Sequence, residues 1–204
     1  MTKVKICGMK TIEDVNNAVK YGADFIGFVF APSKRQVTAE TVKEILGSVS
    51  LYGTKTVGVF VNPSKAELAE ILKTVPLDYI QLHGDETKAF TERLNHKVIK
   101  AFPSNSELSY EEKFSYPADF ILIDSPREKY YGGSGRVFDW AEIDFDAVDQ
   151  SRFALAGGLN ENNVRGAVVK ACPALVDTSS GVETDGVKDP VKIKRFIEEA
   201  KGEI

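Results

Sequence analysis

A chain of 204 residues has the length of one domain, enough to bury roughly 70% of the surface its unfolded form exposes. With 43% hydrophobic and 27% charged residues it reads as a soluble globular protein, and a net charge of -4 argues against broad binding to nucleic acid or anionic membranes. Two cysteines far apart, Cys7 and Cys172, exclude a disulfide framework, and two histidines with no ligand spacing leave no metal site. The start MTKVKICG lacks the apolar run of a signal peptide and no stretch approaches transmembrane length, so the cytoplasm is the expected compartment.

In chain order, eight short runs rich in β-branched and aromatic residues read as strands, at 4–7, 25–30, 56–61, 79–82, 98–102, 120–123, 153–156 and 175–177. Helical patterns lie between most of them. Residues 11–21 open with Thr11, carry Glu13 and Asp14 early, and put Val15, Ala18 and Val19 on one face. Pro63 and Ser64 lead into a helix carrying Leu68, Ile71 and Leu72, while 105–114 is a weaker pattern with few apolar periods. Residues 160–170 and 190–201 read as helices, the last capped by Asp189 with Pro190 at its first position. Strands alternating with helices make a parallel sheet with crossover connections. Eight such units without a linker predict a single (β/α)8 TIM barrel over residues 1–204, lean for that class. A doubly wound open sheet is the alternative, but its GxGxxG fingerprint after the first strand is missing.

In such a barrel the reactive groups come from the carboxyl ends of the strands and the loops after them. Cys7 ends the first strand, where a thiol is a nucleophile or base if its surroundings favour the thiolate and a small core residue otherwise. Lys5 shares its strand parity and points inward, either to hold a thiolate or to form a structural ion pair. Arg35, in the loop after the second strand, offers a guanidinium fork to a substrate carboxylate. Gln81 and His83 end the fourth strand and Asp177 the eighth, and these three are candidate substrate contacts.

Asp124 ends the buried run Phe120-Ile121-Leu122-Ile123, so its carboxyl faces the mouth. It either caps a loop or acts as an acid or base with a pKa set by desolvation. Keeping an unshifted aspartate protonated at neutral pH costs roughly 4 kcal/mol, so an acid role needs a dry site or a nearby negative charge. Gly157 and Gly158 after the seventh strand, with Ser179, Ser180 and Gly181 after the eighth, form the loop pair on which barrels often bind phosphate. The connection 125–138 contains Tyr130-Tyr131-Gly132-Gly133-Ser134-Gly135, a glycine density that suits a mobile cover. His96 and Cys172 read as structural. The residues themselves thus predict a phosphate-anchored acid–base reaction on a phosphorylated small molecule, with no metal.

Several motifs run in order over nearly the whole chain: KICG at 5–8, GFVF at 27–30, SKR at 33–35, VGVFVN at 57–62 and QLHG at 81–84. ILIDS at 121–125, YGGSG at 131–135, FDW at 138–140, LAGGLN at 155–160, VDTSSGVE at 176–183 and GVKD at 186–189 complete them. In this the chain resembles the phosphoribosylanthranilate isomerases of the tryptophan pathway. The resemblance implies a cofactor-free Amadori rearrangement of N-(5-phosphoribosyl)anthranilate to 1-(2-carboxyphenylamino)-1-deoxyribulose 5-phosphate. It implies Asp124 as general acid at the furanose ring oxygen and Cys7, as thiolate, as the base at C2′. It puts Arg35 near the anthranilate carboxylate and the phosphate on Gly158 and the 179–181 loop, and it leaves monomer and homodimer both open.

Three other readings compete. A related sugar-phosphate isomerase of histidine biosynthesis performs the same chemistry but carries an aspartate where Cys7 stands. A Schiff-base aldolase would use Lys100, near the end of the fifth strand. A non-catalytic barrel would bind a phosphorylated metabolite without turnover.

Overall fold

The computed structural model describes residues 1–126, 140 and 143–202. The eight apolar runs become β1 (Lys3–Cys7), β2 (Phe25–Val29), β3 (Lys55–Phe60), β4 (Tyr79–Leu82), β5 (Lys97–Pro103), β6 (Phe120–Asp124), β7 (Phe153–Leu155) and β8 (Leu175–Thr178). They pair in parallel, each with its neighbour in sequence, and β8 returns to β1 to close the barrel. Lys5 lies opposite both Phe25 and Asp177, so the seam of the closure runs directly beneath Cys7.

Around the barrel run α1 (Ile12–Lys20), α2 (Ala39–Gly47), α3 (Lys65–Thr74), α4 (Lys88–Glu92), α5 (Tyr110–Phe114), α6 (Val164–Ala171) and α7 (Pro190–Lys201). Thr11 and Asp14 close a capping box on α1, and Ser64 and Glu67 one on α3. Asp189 accepts from the amides of Val191 and Lys192 to start α7. Each such cap contributes about 1 kcal/mol. The weak pattern at 105–114 yields only five helical residues, opened by Ser109 and Glu112. The helix expected from 160 begins at Val164 instead, because the side chains of Asn160 and Asn163 hold the chain in turns by bonding nearby amides. Two helices were not singled out in the sequence, α2 and α4, and they bury only Val42 with Ile45 and Thr91 respectively. No described helix is long and apolar enough to cross a membrane.

Successive strand residues alternate between the barrel interior and the helices outside. Outward-facing Val4, Ile6, Ile26, Phe28, Ile80, Leu82, Ile121, Ile123, Phe153 and Val176 form one apolar cluster beneath the helices. Inward, the amino-terminal end is plugged by Phe25, Tyr79 and Phe120, with ring centroids 5.3 to 6.3 Å apart. Toward the carboxyl end the inward positions turn polar, and the residues there are Lys5, Cys7, Gln81, Asp124 and Asp177.

Candidate active site

The carboxyl ends of the strands surround a cavity of about 680 Å³. Cys7, Arg35, Gln81, His83, Asp124, Gly157, Gly158, Asp177, Ser179, Ser180 and Gly181 all line it, whereas the candidate lysines Lys5 and Lys100 do not. Val29, Val59, Ala156 and Leu159 supply apolar wall between them.

One side of the cavity is built on β1 and β8. Lys5 is fully buried beneath Cys7, and its ammonium donates to Asp177 Oδ1 at 2.9 Å. Burial works to lower the Lys5 pKa, but Asp177 and Cys7 outweigh it and hold the ammonium charged. Burial pushes the Cys7 thiol up and Lys5 offsets this only in part, which favours the protonated sulfur. Burial likewise pushes Asp177 up against the pull of Lys5. Asp177 therefore lines the cavity with one carboxyl oxygen held by Lys5.

The opposite side is built on β4 and β6. Asp124 accepts from its neighbour's amide, Ser125 N, at 2.7 Å and from His83 Nε2 at 3.2 Å. Gln81 Nε2 lies 2.9 Å from His83 Nδ1. An amide N–H can only donate, so Nδ1 accepts, the ring proton sits on Nε2, and His83 donates it to Asp124. Burial works to raise the Asp124 pKa, but the bonds from His83 and Ser125 prevail and hold it below the usual carboxylate value. An acid role for Asp124 therefore depends on a change in this bonding. Gln81, 1% exposed, lies beneath His83 and shows the cavity little of itself.

Two charged residues not singled out in the sequence hold Arg35 and the Ser179 loop from behind. They lie on a hairpin of β9 (Glu183–Thr184) and β10 (Val187–Lys188). Arg35 donates from Nε and Nη2 to the two oxygens of Glu183, at 2.7 and 2.8 Å. Its fork is thus already filled along one edge. Lys188 donates to Glu183 Oε1 and to the Ser179 carbonyl, both at 2.8 Å. Burial works to raise Glu183, but the bonds from Arg35 and Lys188 pull it down to about 2. Opposite charges five residues apart across a turn are the sequence signal for this clasp, and it is a weak one.

The glycine-bearing loops meet at the remaining edge. Gly157 and Gly158 have φ of +84° and +65°, a region that side chains with a Cβ rarely adopt. A Cβ on Gly181 would collide with the Leu159 carbonyl, which Thr178 Oγ1 also contacts at 2.7 Å. Asn163 holds the Gly158 carbonyl at 3.0 Å, and Ser179 Oγ donates to the Cys7 carbonyl at 3.0 Å. Ser180–Val182 forms a single 3-10 turn. Backbone N–H groups opening such a turn are ready donors to an anion.

Lys100 occupies the outward parity of β5, between inward Ile99 and Ala101, and it is absent from the cavity wall. Its ammonium bonds Glu86 at 2.9 Å and the carbonyls of Leu82, Gly84 and Ala101, so it cannot serve as a Schiff-base lysine in the mouth. His96 precedes β5, at the barrel end away from the cavity. Cys172 is exposed and closes α6 with φ +45°. Residues 130–135, read as a cover, lie outside the described residues. Among the described residues no cluster of metal-ligating side chains occurs.

The family described as N-(5'phosphoribosyl)anthranilate (PRA) isomerase matches residues 4–199. The N-(5'-phosphoribosyl)anthranilate isomerase of Listeria monocytogenes is 51% identical over 199 residues, 98% of either chain. A structure of monomers generated from the dimeric phosphoribosylanthranilate isomerase of Thermotoga maritima superposes with a TM-score of 0.83 at 37% identity, covering 99% of this chain and 100% of its own. A phosphoribosyl anthranilate isomerase solved with reduced 1-(o-carboxyphenylamino)-1-deoxyribulose 5-phosphate gives 0.82 at 38% identity, with the same coverage.

Proposed function

The chain belongs to the N-(5'-phosphoribosyl)anthranilate isomerase family, and from that premise we propose how its mouth divides the work of an isomerase of tryptophan biosynthesis. The reaction is the Amadori rearrangement of N-(5-phosphoribosyl)anthranilate to 1-(2-carboxyphenylamino)-1-deoxyribulose 5-phosphate. Asp124 gives a proton to the furanose ring oxygen, the C1′–O bond breaks toward that oxygen, and the nitrogen lone pair closes a Schiff base. The Cys7 thiolate then takes the C2′ proton, leaving an enolamine that tautomerises to the ketone. The phosphate sits on Gly157, Gly158 and the Ser179–Ser180–Gly181 loop, and the free edge of the Arg35 fork receives the anthranilate carboxylate. Gln81, His83 and Asp177 stay beneath the substrate as support for the reacting groups.

The observation that carries this reading is a thiol from β1 and a carboxyl from β6 lining the same cavity as the glycine-bearing loops after β7 and β8. Ring opening needs an acid and the following step a base, and separate strands supply them. The resting groups are a thiol and a carboxylate. The productive form, thiolate with carboxylic acid, holds the same number of protons. It is reached by redistribution within the site. The net charge of -4 and the anion-binding loops favour a phosphorylated small molecule as partner over nucleic acid or a membrane surface. The chain works in the cytoplasm as a monomer or homodimer, a dimer being named for the Thermotoga maritima relative.

The test follows the fluorescence of phosphoribosylanthranilate, generated in situ from anthranilate and activated ribose phosphate. Wild-type protein should remove it rapidly, and Cys7→Ser and Asp124→Asn should not. Wild-type rates in either variant would remove that residue from the mechanism.

A further inference from the structure

Gln81 holds an amide with a single partner. Its Nε2 bonds His83 Nδ1 at 2.9 Å, while its Oε1 is buried with no hydrogen-bond partner among the described residues. Buried amide oxygens nearly always find a donor. An amide pinned at both ends could face only one way. This one is oriented by the imidazole alone, and Asp124 lies on the far side of that imidazole at 3.2 Å.

The three groups form a chain whose hydrogen-bond directions must agree. When Asp124 is a carboxylate it can only accept, so His83 donates from Nε2 and leaves Nδ1 bare. Nδ1 then needs a donor, and the amide NH2 supplies it, as in this structure. When Asp124 is a carboxylic acid it donates its hydroxyl hydrogen to Nε2, and the ring hydrogen must sit on Nδ1. Nδ1 then needs an acceptor, which the amide supplies by turning its oxygen inward. The same turn is required when the extra proton rests on the ring as imidazolium. We propose that Gln81 is a positioning residue whose amide turns about its last bond, so that the His83–Asp124 pair can carry the proton for ring opening on either partner.

This inference rests on Asp124 being the general acid. It adds that the proton is held by the pair and gated by the orientation of one buried amide. The proton comes from the Cys7 thiol by redistribution within the site, passes from Asp124 to the ring oxygen, and leaves a carboxylate again facing His83. The amide must turn back within each cycle. The other charged or titratable groups around the pair are Asp177 on β8, itself bonded to Lys5 on β1, and Cys7 across the mouth.

Because the chain has only two histidines, His83 and His96, imidazole ¹⁵N spectra are assignable with one His96→Gln control. Empty wild-type protein should show His83 protonated at Nε2 near neutral pH and gain the Nδ1 proton on acidification. Gln81→Met, of similar volume and without an acceptor, should push that gain to lower pH. Its kcat should fall roughly tenfold or more, with KM within about threefold of wild type, because acid–base steps of this kind are worth about 10²–10⁴ in rate. Gln81→Glu, a permanent acceptor, should move the Nδ1 proton and the acid limb of the kcat profile to higher pH by about one unit or more. Circular dichroism on each variant verifies the fold. Folded Gln81→Met and Gln81→Glu with wild-type ¹⁵N titration and wild-type pH profiles would overturn the proposal. Asp124→Asn separates the two levels. If it is inactive while the Gln81 variants behave as wild type, only the amide gate fails, and if it turns over normally the acid assignment fails as well.

Discussion

The two sides of the mouth face the same cavity and are built on different principles. On the β1–β8 side a thiol sits above a buried ion pair of Lys5 and Asp177 whose charges are fixed in place. On the β4–β6 side a carboxyl ends a chain of groups, His83 and Gln81, whose hydrogen-bond directions can reverse. A base that must lose a proton benefits from a permanent cation beneath it. An acid that must gain and release one benefits from partners that donate in one state and accept in the other. The contrast teaches that a strand position near the barrel mouth is tuned by the two residues beneath it as much as by its own chemistry.

The largest expected effect comes from removing either end of the contrast. Cys7→Ala and Asp124→Asn should each lower kcat by about 10²–10⁴-fold while leaving KM within a few fold, since the loops that hold phosphate are untouched. Steady-state kinetics on the two variants checks this, and a variant with unchanged kcat would break the symmetry of the pair. Lys5→Met should come next. It strands the Asp177 carboxyl in the barrel and should destabilise the fold by about 3–5 kcal/mol, with the Cys7 thiol shifting further up. Denaturant melts and thiol ultraviolet titration measure the two effects. The double variant Lys5→Met with Asp177→Asn should regain part of the stability.

The pH profile sharpens the comparison further. The thiol is raised and Asp124 is lowered, so neutrality lies between the two ionisations. Between them the resting pair is thiol with carboxylate, and its fraction in the productive form does not vary with pH. Below the Asp124 ionisation the site is over-protonated, and above that of Cys7 it is stripped. We therefore expect kcat/KM nearly flat across neutrality, falling on both flanks. A tenfold rise per pH unit through neutrality would mean that Cys7 alone limits the reaction and that its proton does not stay in the site.

Strand parity explains what the sequence made legible and what it hid. Short apolar runs at barrel spacing placed all eight strands, and counting inward positions put Lys5 beneath Cys7 before any contact was visible. The same counting separates two fully buried lysines. Lys5 points into the barrel, whereas Lys100 points out beneath the loops and bonds Glu86. Lys100 suggested an aldolase because it lies near the end of the fifth strand, and its outward parity is what keeps it from the mouth. The bonding of Gln81 to His83 was hidden for another reason, since i and i+2 neighbours share a face but nothing in their spacing fixes which atoms meet. Helices α2 and α4 escaped notice because their buried stripes are one or two residues wide, too narrow for a periodic signal. Glu183 and Lys188 were visible as charges but not as a clasp, because a two-residue strand on either side of a turn carries no pattern of its own.

That clasp yields the smallest predicted effect on turnover. Glu183 bonds one edge of the Arg35 fork, and Lys188 ties Glu183 to the Ser179 carbonyl of the phosphate loop. Glu183→Gln keeps the shape but loses the charge, so Arg35 should wander and KM should rise about three- to tenfold with kcat little changed. The substitution also has a signature in stability. Glu183 is held at about 2 against an ordinary 4.5, so it contributes stability above pH 4.5 that is lost as pH falls toward 2. Linkage gives at most about 3 kcal/mol for such a shift, and screening by solvent at the rim reduces it to about 1–2 kcal/mol. Melts of wild type and Glu183→Gln should differ at pH 6 and converge near pH 2. A constant difference across that range would place the cost of the substitution in packing, and the clasp would then fix the shape of the rim without charge.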